Sequence, residues 1–520
     1  MGGHPGDREP QGKIQTLVMP KFILLIVYFI VQFLCGQSHG IDRVGADSLL
    51  PPGQRIDHLL QESAKNGYSG SVLVAKDGVI LLSRGYGWAD RDKNIPNEPS
   101  TLFNIGSVTK QFTAAAILKL MEDKRLDVSD KLIDYFPQVP PDKQDITLHQ
   151  LLTHTSGISP GTGGFRYHEA SKEQFLKECF QSELMYPPGS KHTYANANYI
   201  LLAAIVEIAS KQDFEAYMRH QFWSPLNMER TGYKKVYTYG EQFALGYQYD
   251  HNLGEWKDWG ITLDHLPGNG NHWYSIGKGD LYSTTEDLYK WHMALEGNRV
   301  LRAESKQLME MAHIPENPGK TSHYGYGWAI LNTSANGKIV THNGSNGVYF
   351  ADFVRYLEED LTVIALSNAI LNPQSENVAW EIASMVLDDQ HPASVIPKNS
   401  YELVFDFMRT HSPDEADQLL PFLERHIGAR LTDKALLNRM GYQRVSEKSD
   451  PDWGLALLRL NTDLFPEDGN LWDSLGEGYF LVNNKVKAIE SFEKALELSP
   501  EDHCHWCENS RRRLAELAGK

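Results

Sequence analysis

Ser107 and Lys110 stand three positions apart in the segment FNIGSVTKQFTAAAILKLME, residues 103–122. A serine hydroxyl is a weak nucleophile unless a base lies beside it, and a lysine amine can be that base where its surroundings keep it neutral. Apolar residues follow with a helical period, so a helix that opens at Ser107 would carry both side chains on one face. The segment therefore predicts a lysine-activated serine, with helix N-terminal N–H groups facing developing negative charge.

The Ser-x-x-Lys pattern is short, and it recurs at Ser275–Lys278 and at Ser491–Lys494. The competing interpretation of Ser107 is a helix N-cap followed by a solvated lysine. The order and context of other polar residues must decide between the two.

A second group of polar residues lies in YPPGSKHTYANANY, residues 186–199, directly before an apolar helical stretch at 200–209. Tyr194 and Asn196 are two positions apart, and in an extended segment such side chains point the same way. The pattern predicts that a phenol and a carboxamide are presented together. The alternative is a loop with a packed tyrosine.

A third group lies in THNGSNG, residues 341–347, at the end of a strand-like run. His342 could contribute its imidazole, and Gly344 would let backbone N–H groups come close to a ligand. Taken alone, this stretch is equally typical of a hairpin turn.

The elements that must position these groups can be predicted from local patterns. A helix is expected at 54–66, and Asp-Gly between two apolar runs predicts a hairpin over 71–83. A short helix is expected from an N-cap at Thr147 to a stop at Gly157. Four more strands are expected from their β-branched and aromatic residues, at 326–332, 338–341, 349–357 and 361–367.

Taken in this order, Ser107-x-x-Lys110, Tyr194-x-Asn196 and His342-x-Gly344 resemble the motif set of the serine β-lactamase and penicillin-binding-protein superfamily. The flanking stretches IGSVTKQFTAAAI and ITLHQLLTHTSGI look like the class C β-lactamase branch with its esterase and D-peptidase relatives. The resemblance covers residues 56–388. It implies an α/β (α+β) fold in which an antiparallel sheet is flanked by helices, with a helical subdomain over about 110–275 and the active site between the two.

The resemblance also implies roles for the first two motifs. Ser107 would be the acylated nucleophile, while Lys110 and Tyr194 would share the proton transfers, and the residues leave open which of these two is the base. Asn196 would position either the substrate amide or the lysine. The implied reaction is two-step acyl transfer to water, without a metal or another cofactor.

In the third motif, His342 replaces the usual lysine and would supply a donor or a positive charge near the leaving group. The N–H groups of Ser107 and Ser345 would form the oxyanion hole. The motif lacks the hydroxyl residue that β-lactam-directed enzymes carry after the lysine, which favours an esterase or a D-amino-acid peptidase. Asp280 stands where the family more usually has a small residue, and the sequence assigns it no role.

Composition and charge limit the classes of partner and the cellular compartments that the sequence allows. The chain has 520 residues and a formal net charge of -17, which argues against nucleic acid as a partner. The apolar run at 22–35 predicts a signal peptide or an N-terminal membrane anchor within 1–40, hence a periplasmic, secreted or membrane-anchored protein. Among the four cysteines, Cys504 and Cys507 favour a disulfide or free thiols over a zinc site.

The predicted domain order is a hydrolase at 50–390, a linker at 391–398 and a helical domain at 399–520. Residues 470–501 match the marker spacing of a tetratricopeptide repeat. One repeat cannot bury its own apolar face, so this tail should pack on the hydrolase, self-associate or contain further repeats. Binding of a protein partner is one of its predicted functions.

The function predicted from the sequence is an exported serine hydrolase acting on a small-molecule or peptide substrate, either a D-amino-acid peptide or a small ester. The alternatives are a true β-lactamase and a non-catalytic penicillin-binding-like sensor.

Overall fold

The computed structural model describes residues 50–162, 170–233, 243–250, 253–266, 273–371, 373–428, 430–499 and 504–519. The chain divides into two units, residues 1–51 and 52–520, and the described helices and strands belong to the second unit. The predicted signal or anchor segment lies outside the described residues. None of the helices in the described part combines the length and apolar character needed to traverse a bilayer.

The strands of the described residues are bounded as follows: β1 Gly70–Lys76, β2 Val79–Tyr86, β3 Trp88–Asp90, β4 Ile95–Pro96, β5 Phe103–Asn104, β6 Gly246–Asp250, β7 Glu255–Gly260, β8 Tyr282–Ser283, β9 Ile314–Pro315, β10 His323–Tyr324, β11 Ala329–Thr333, β12 Gly337–Ser345, β13 Phe350–Tyr356 and β14 Leu361–Ser367. Within these ranges, eight strands form one sheet in the order β2-β1-β14-β13-β12-β11-β10-β9. Every neighbouring pair in it is antiparallel. The predicted sheet, built from the 71–83 hairpin and the strands after Gly325, is confirmed.

The helices before the tail are α1 Pro52–Lys65, α2 Lys110–Glu122, α3 Leu132–Tyr135, α4 Leu148–Leu152, α5 Lys172–Gln181, α6 Asn196–Ser210, α7 Phe214–Met218, α8 Thr285–Glu296, α9 Ala303–Met309, α10 Pro373–Glu376 and α11 Val378–Leu387. Alternate residues of the central strands face different helices. Val72 and Val74 belong to a core with α1 and α11, whereas Leu73 belongs to the core that contains α2 and α6. Because both faces are covered, β13 and β14 are buried along their whole length.

Two predicted boundaries were wrong, and both lie near the motif residues. The helix capped by Thr147 is present, but it ends at Leu152 instead of Gly157. It ends early because His154 adopts a left-handed backbone with φ +56°. The helix predicted from Ile200 begins earlier, at Asn196, so this asparagine lies in the first helical turn.

The tail contains the helices α12 Ser400–Met408, α13 Leu419–Ile427, α14 Lys434–Ser446, α15 Pro451–Leu464, α16 Gly469–Leu481, α17 Lys485–Glu497 and α18 His505–Leu517. Successive helices pack against each other, α14 with α15 and α16 with α17. Of the expectations for the tail, packing on the hydrolase is observed. Trp256 Nε1 donates to Glu402 Oε2 at 3.1 Å, and Arg409 Nη2 donates to the Gly254 carbonyl at 3.0 Å.

The two C-terminal cysteines are bonded to each other. Cys504 and Cys507 form a disulfide across the first turn of α18. Of the alternatives left by the sequence, the structure therefore has the disulfide.

Candidate active site

The predicted pair of Ser107 and Lys110 is brought into direct contact. Lys110 Nζ donates to Ser107 Oγ at 3.0 Å. Ser107 was expected to open an α-helix, but it lies instead in a 3₁₀ turn, Gly106–Thr109, that leads into α2. In a 3₁₀ turn the side chains at i and i+3 eclipse each other, which is why the hydroxyl and the amine meet. Lys110 is fully buried.

Two further oxygens hold the Lys110 amine. Nζ donates to Asn196 Oδ1 at 2.9 Å and to the Lys278 carbonyl at 2.5 Å. Asn196 reaches the lysine because α2 packs against α6, at whose first turn it lies. Of the two sequence-based roles for Asn196, contact with the lysine is the one that the structure displays.

Tyr194 covers the same amine from another side. The centre of its ring lies 4.8 Å from Lys110 Nζ. Asn196 and Tyr194 therefore surround one lysine, although Asn196 is helical and the predicted extended geometry does not apply to it.

His154 holds the segment that carries Tyr194, and the sequence did not indicate this role. Its carbonyl accepts from Thr193 N at 2.9 Å, and its Nδ1 accepts from Ala195 N at 3.2 Å. Its ring lies 4.3 Å from that of Tyr194. Burial, together with the nearby charge of Lys110, holds the pKa of His154 well below its usual range, so the imidazole is neutral. The sequence signal that could have found it is its place just after the short helix, in LLTHTSG.

His342 lies close to Tyr194, with ring centres 6.2 Å apart. The sequence left open whether it would supply a donor or a positive charge, and its surroundings favour the neutral imidazole. Burial, reinforced by the charge of Lys110, lowers the pKa of His342 to about 3. Nδ1 lies 2.6 Å from the Asn343 carbonyl and must donate to it. Burial holds the pKa of Tyr324 well above its usual range, so its hydroxyl keeps its proton and donates to His342 Nε2 at 3.0 Å. Both ring nitrogens therefore bind protein groups.

The third motif approaches Ser107 through its backbone. A Cβ atom on Gly344 would overlap the Ile105 carbonyl oxygen and lie 2.6 Å from the Ser107 nitrogen. A Cβ atom on Gly106 would lie 2.7 Å from the Ser345 nitrogen. Strand β12 therefore packs directly on the Ser107 turn, and this close approach requires glycine at both positions. The structure extends β12 to Ser345, where the sequence pattern had suggested a turn.

Comparison with known proteins places this arrangement in a family. The family model described as Beta-lactamase matches residues 54–384. The chain belongs to the beta-lactamase family. Penicillin-binding protein 4* of Bacillus subtilis is 28% identical over 347 residues, which cover 63% of this chain and 74% of that protein.

Two solved structures of the same fold illustrate its range. The penicillin-binding protein from Bacillus halodurans is 27% identical with a TM-score of 0.53, and the match covers 63% of this chain and 100% of that one. The D-amino acid amidase from Ochrobactrum anthropi SV3 is 20% identical with a TM-score of 0.54, and the match covers 65% of this chain and 100% of that one. At this identity the amidase supports the fold alone. The beta-lactamase fold, with its antiparallel sheet flanked by helices, is therefore established.

Proposed function

We propose that the protein is an exported serine hydrolase that forms an acyl-enzyme on Ser107 and then hydrolyses it. The observation that carries the proposal is the 3.0 Å contact between Lys110 Nζ and Ser107 Oγ. A solvated lysine after a helix N-cap would be exposed, whereas Lys110 is fully buried and holds the serine oxygen. Membership of the beta-lactamase family supports the same conclusion.

In the acylation step, Ser107 Oγ forms a bond to the carbonyl carbon of the substrate while its proton passes to the base, which is either Lys110 in its deprotonated amine form or Tyr194 in its phenolate form. Lys110 Nζ contacts Ser107 Oγ directly, and the centre of the Tyr194 ring lies 4.8 Å from the same Nζ, so both groups are kept as candidates for the base. The tetrahedral intermediate then collapses, and the leaving alcohol or amine departs with that proton. A water molecule next attacks the acyl carbonyl carbon and gives a proton to the same base. The bond to Ser107 Oγ then breaks, the acid product leaves, and the base passes this proton to Ser107 Oγ.

The oxyanion of each tetrahedral intermediate would accept from the N–H groups of Ser107 and Ser345. This assignment is supported by the close approach of Gly344 to the Ser107 nitrogen. Backbone donors held by a turn and a strand need no reorganisation when the negative charge develops, and one such donor is commonly worth about 10²–10³ in turnover.

The substrate that we propose is a small ester or a D-amino-acid amide or peptide. The third motif has a neutral imidazole at His342 and a carboxamide at Asn343, so it offers neither the cation nor the hydroxyl expected for a β-lactam carboxylate. The chain is similar to the class C branch in its Tyr-x-Asn form, and we propose that branch as its nearest group. The alternatives are a true β-lactamase and a non-catalytic penicillin-binding-like sensor, since the chain resembles penicillin-binding proteins.

One set of assays distinguishes these functions. Purified protein is incubated with p-nitrophenyl esters, D-amino-acid anilides and nitrocefin, and with Ser107→Ala as the control. We expect Ser107-dependent turnover of an ester or an anilide that exceeds turnover of nitrocefin. Faster turnover of nitrocefin would identify a β-lactamase. Stable labelling of Ser107 by a fluorescent penicillin, without turnover of any substrate, would favour the sensor.

Export and the use of the tail are part of the same proposal. The sequence of 1–40 favours a signal peptide or an anchor, and 470–501 favours a tetratricopeptide-like repeat that binds a protein or a second copy of the chain. N-terminal sequencing of the mature protein, after cell fractionation, tests the first statement. Sedimentation of the full chain at several concentrations tests self-association, and a concentration-independent monomer would leave a different protein as the proposed partner.

A further inference from the structure

Asp280 is a buried carboxylate that the proposed reaction does not use. It is 5% exposed, and its backbone is left-handed with φ +58°. Aspartate tolerates this conformation better than most residues, yet a side chain there is still costlier than glycine. A buried charge in such a place needs polar partners, and these partners show what it does.

Three side chains converge on the Asp280 carboxylate. Ser275 Oγ donates to Oδ2 at 2.6 Å, and Asn104 Nδ2 donates to Oδ1 at 3.2 Å. Lys278 Nζ lies 3.5 Å from Oδ2, and the side chains of this ion pair are 6% and 4% exposed. The serine and the lysine of the second Ser-x-x-Lys pattern are thus both bound to one aspartate.

One of these partners leads to the nucleophile. Asn104 Oδ1 accepts from Gly106 N at 2.9 Å. Gly106 has φ +49° and directly precedes Ser107, so its orientation sets the start of the 3₁₀ turn that presents the hydroxyl. The Asn104 side chain therefore connects the two: its Nδ2 donates to Asp280, and its Oδ1 holds the backbone of the Gly106–Thr109 turn.

Another partner leads to the lysine. The carbonyl of Lys278 accepts from Lys110 Nζ at 2.5 Å, while its side chain is bound to Asp280. The neighbouring Gly277 carbonyl accepts from Thr113 Oγ1 on α2 at 2.7 Å. The segment that contains Lys278 is therefore tied both to Lys110 and to the helix that carries it.

We propose that Asp280 is a positioning residue for the Ser107–Lys110 pair, an inference that rests on the proposed acyl-enzyme function. Its carboxylate neutralises Lys278 and so keeps the Lys278 carbonyl hydrogen-bonded to the Lys110 amine. Through Asn104, the same carboxylate holds the Gly106–Thr109 turn that presents Ser107. Removing one member of a buried ion pair leaves an uncompensated charge, whereas removing both members together can be close to neutral. The role thus predicts a specific rescue.

The test compares Asp280→Asn with the double variant Asp280→Asn/Lys278→Met in the full chain. The measured quantity is the second-order rate constant for labelling of Ser107 by a fluorophosphonate, alongside the thermal midpoint. Asp280→Asn should lower this rate constant about 10- to 100-fold, because a small misplacement of reacting groups has effects of that size. The double variant should recover most of the loss, since the buried ammonium is then removed together with the carboxylate that compensates its charge.

The matched control is Asp287→Asn. Asp287 is also buried and pairs with a lysine, Lys290, at 2.7 Å. It lies at the start of α8, where its Oδ2 accepts from Arg230 N and Thr231 Oγ1, and so it holds a segment other than the one that bears Lys278. Its replacement should lower the thermal midpoint without lowering the labelling rate.

Three results would overturn the inference. The first is a labelling rate of Asp280→Asn equal to that of the wild type, and the second is a double variant no faster than Asp280→Asn. The third is an equal loss of rate in Asp287→Asn, which would reflect general destabilisation. A wild-type protein that is not labelled at Ser107 would refute the proposed function itself, and this inference with it.

Discussion

The chain carries the same Ser-x-x-Lys pattern in two buried regions, and the two differ in where the side chains go. Around Ser107 and Lys110, the amine donates to the serine oxygen at 3.0 Å. Around Ser275 and Lys278, both side chains bind the carboxylate of Asp280. Identical spacing thus gives a lysine in contact with its own serine in one place and two ligands of an aspartate in the other.

The third copy shows the outcome in an ordinary helix. Ser491 donates to the Lys487 carbonyl one turn back, and Lys494 Nζ donates to Glu497. In both of the other copies the lysine has a carboxylate partner, whereas Lys110 Nζ donates to three neutral oxygens. What distinguishes the candidate site is therefore this set of neutral oxygens around its lysine, which the spacing alone does not encode.

Among the substitutions that test the difference between the copies, replacing Ser107 should lower the hydrolytic rate constant most. Ser107→Ala removes the proposed nucleophile and should lower the hydrolytic rate constant by about 10⁶-fold. Ser491→Ala, which changes the same residue type in the helical copy, should leave hydrolysis unchanged. Steady-state hydrolysis of the best substrate is the measurement, and substantial turnover by Ser107→Ala would mean that the nucleophile lies elsewhere.

Replacing Lys110 tests whether its amine takes part in proton transfer. Lys110→Met keeps the length of the side chain but removes the amine, and it should lower kcat/KM by about 10³- to 10⁴-fold. Lys494→Met is the control on α17 and should retain the wild-type rate. An unchanged kcat/KM in Lys110→Met would show that this lysine is no more than a structural ligand of Asn196 and the Lys278 carbonyl.

Tyr194→Phe should have a smaller effect and sharpens the assignment of the base. The ring would still cover Lys110, but the hydroxyl would be lost. We expect kcat to fall about 10²-fold if the phenol shares the proton transfers, with little change in KM. A rate close to that of the wild type would assign both transfers to Lys110 alone.

The last prediction concerns His342 and the stability at low pH, and it leaves the hydrolytic rate aside. Its pKa is lowered from 6.5 to about 3 because it is buried beside the charge of Lys110. The unfolded chain therefore binds a proton there below pH 6.5 while the folded protein does not, so the free energy of unfolding decreases as the pH falls from about 6.5 to about 3. His342 alone contributes at most ~1.4 kcal/mol per pH unit in this window.

The measurement for His342 is the free energy of unfolding by urea at several pH values. His342→Gln should flatten the decrease between about pH 6.5 and 4. His426→Gln, at an exposed position on α13, should leave it unchanged. A wild-type slope in His342→Gln would mean that the imidazole is not kept neutral by the fold.

Much of the sheet was predictable because its signals are local. The 71–83 hairpin follows from Asp-Gly between apolar runs, and β13 and β14 follow from their β-branched and aromatic residues. The end of α4 was not predictable, because His154 takes the left-handed position that glycine would normally occupy. It is held there by contacts with the Tyr194 segment, which lies 40 residues further along the chain.

The same distinction between local and long-range determinants applies to the candidate site residues. Ser107, Lys110, Tyr194 and Asn196 were found by residue type and order, and the structure surrounds Lys110 with the other three. For His342 the sequence left open a hydrogen-bond donor or a positive charge, and burial beside Lys110 lowers its pKa to about 3, because a side chain's ionisation depends on its burial and on charges from distant segments. His154 and the Lys278 carbonyl were missed for a related reason: a structural histidine and a backbone carbonyl have no distinctive sequence pattern.

By itself, the sequence determined the strands, most helices and the chemical groups available for acyl transfer. These properties depend on side chains and neighbours within a few residues, so a linear pattern records them. Only the tertiary structure decided which of the three Ser-x-x-Lys copies joins its lysine to its serine, and which lysine donates to Asn196 and to a backbone carbonyl as well. Those choices depend on groups such as Asn196 and Asp280, which come from far along the chain and act through distances that no local pattern contains.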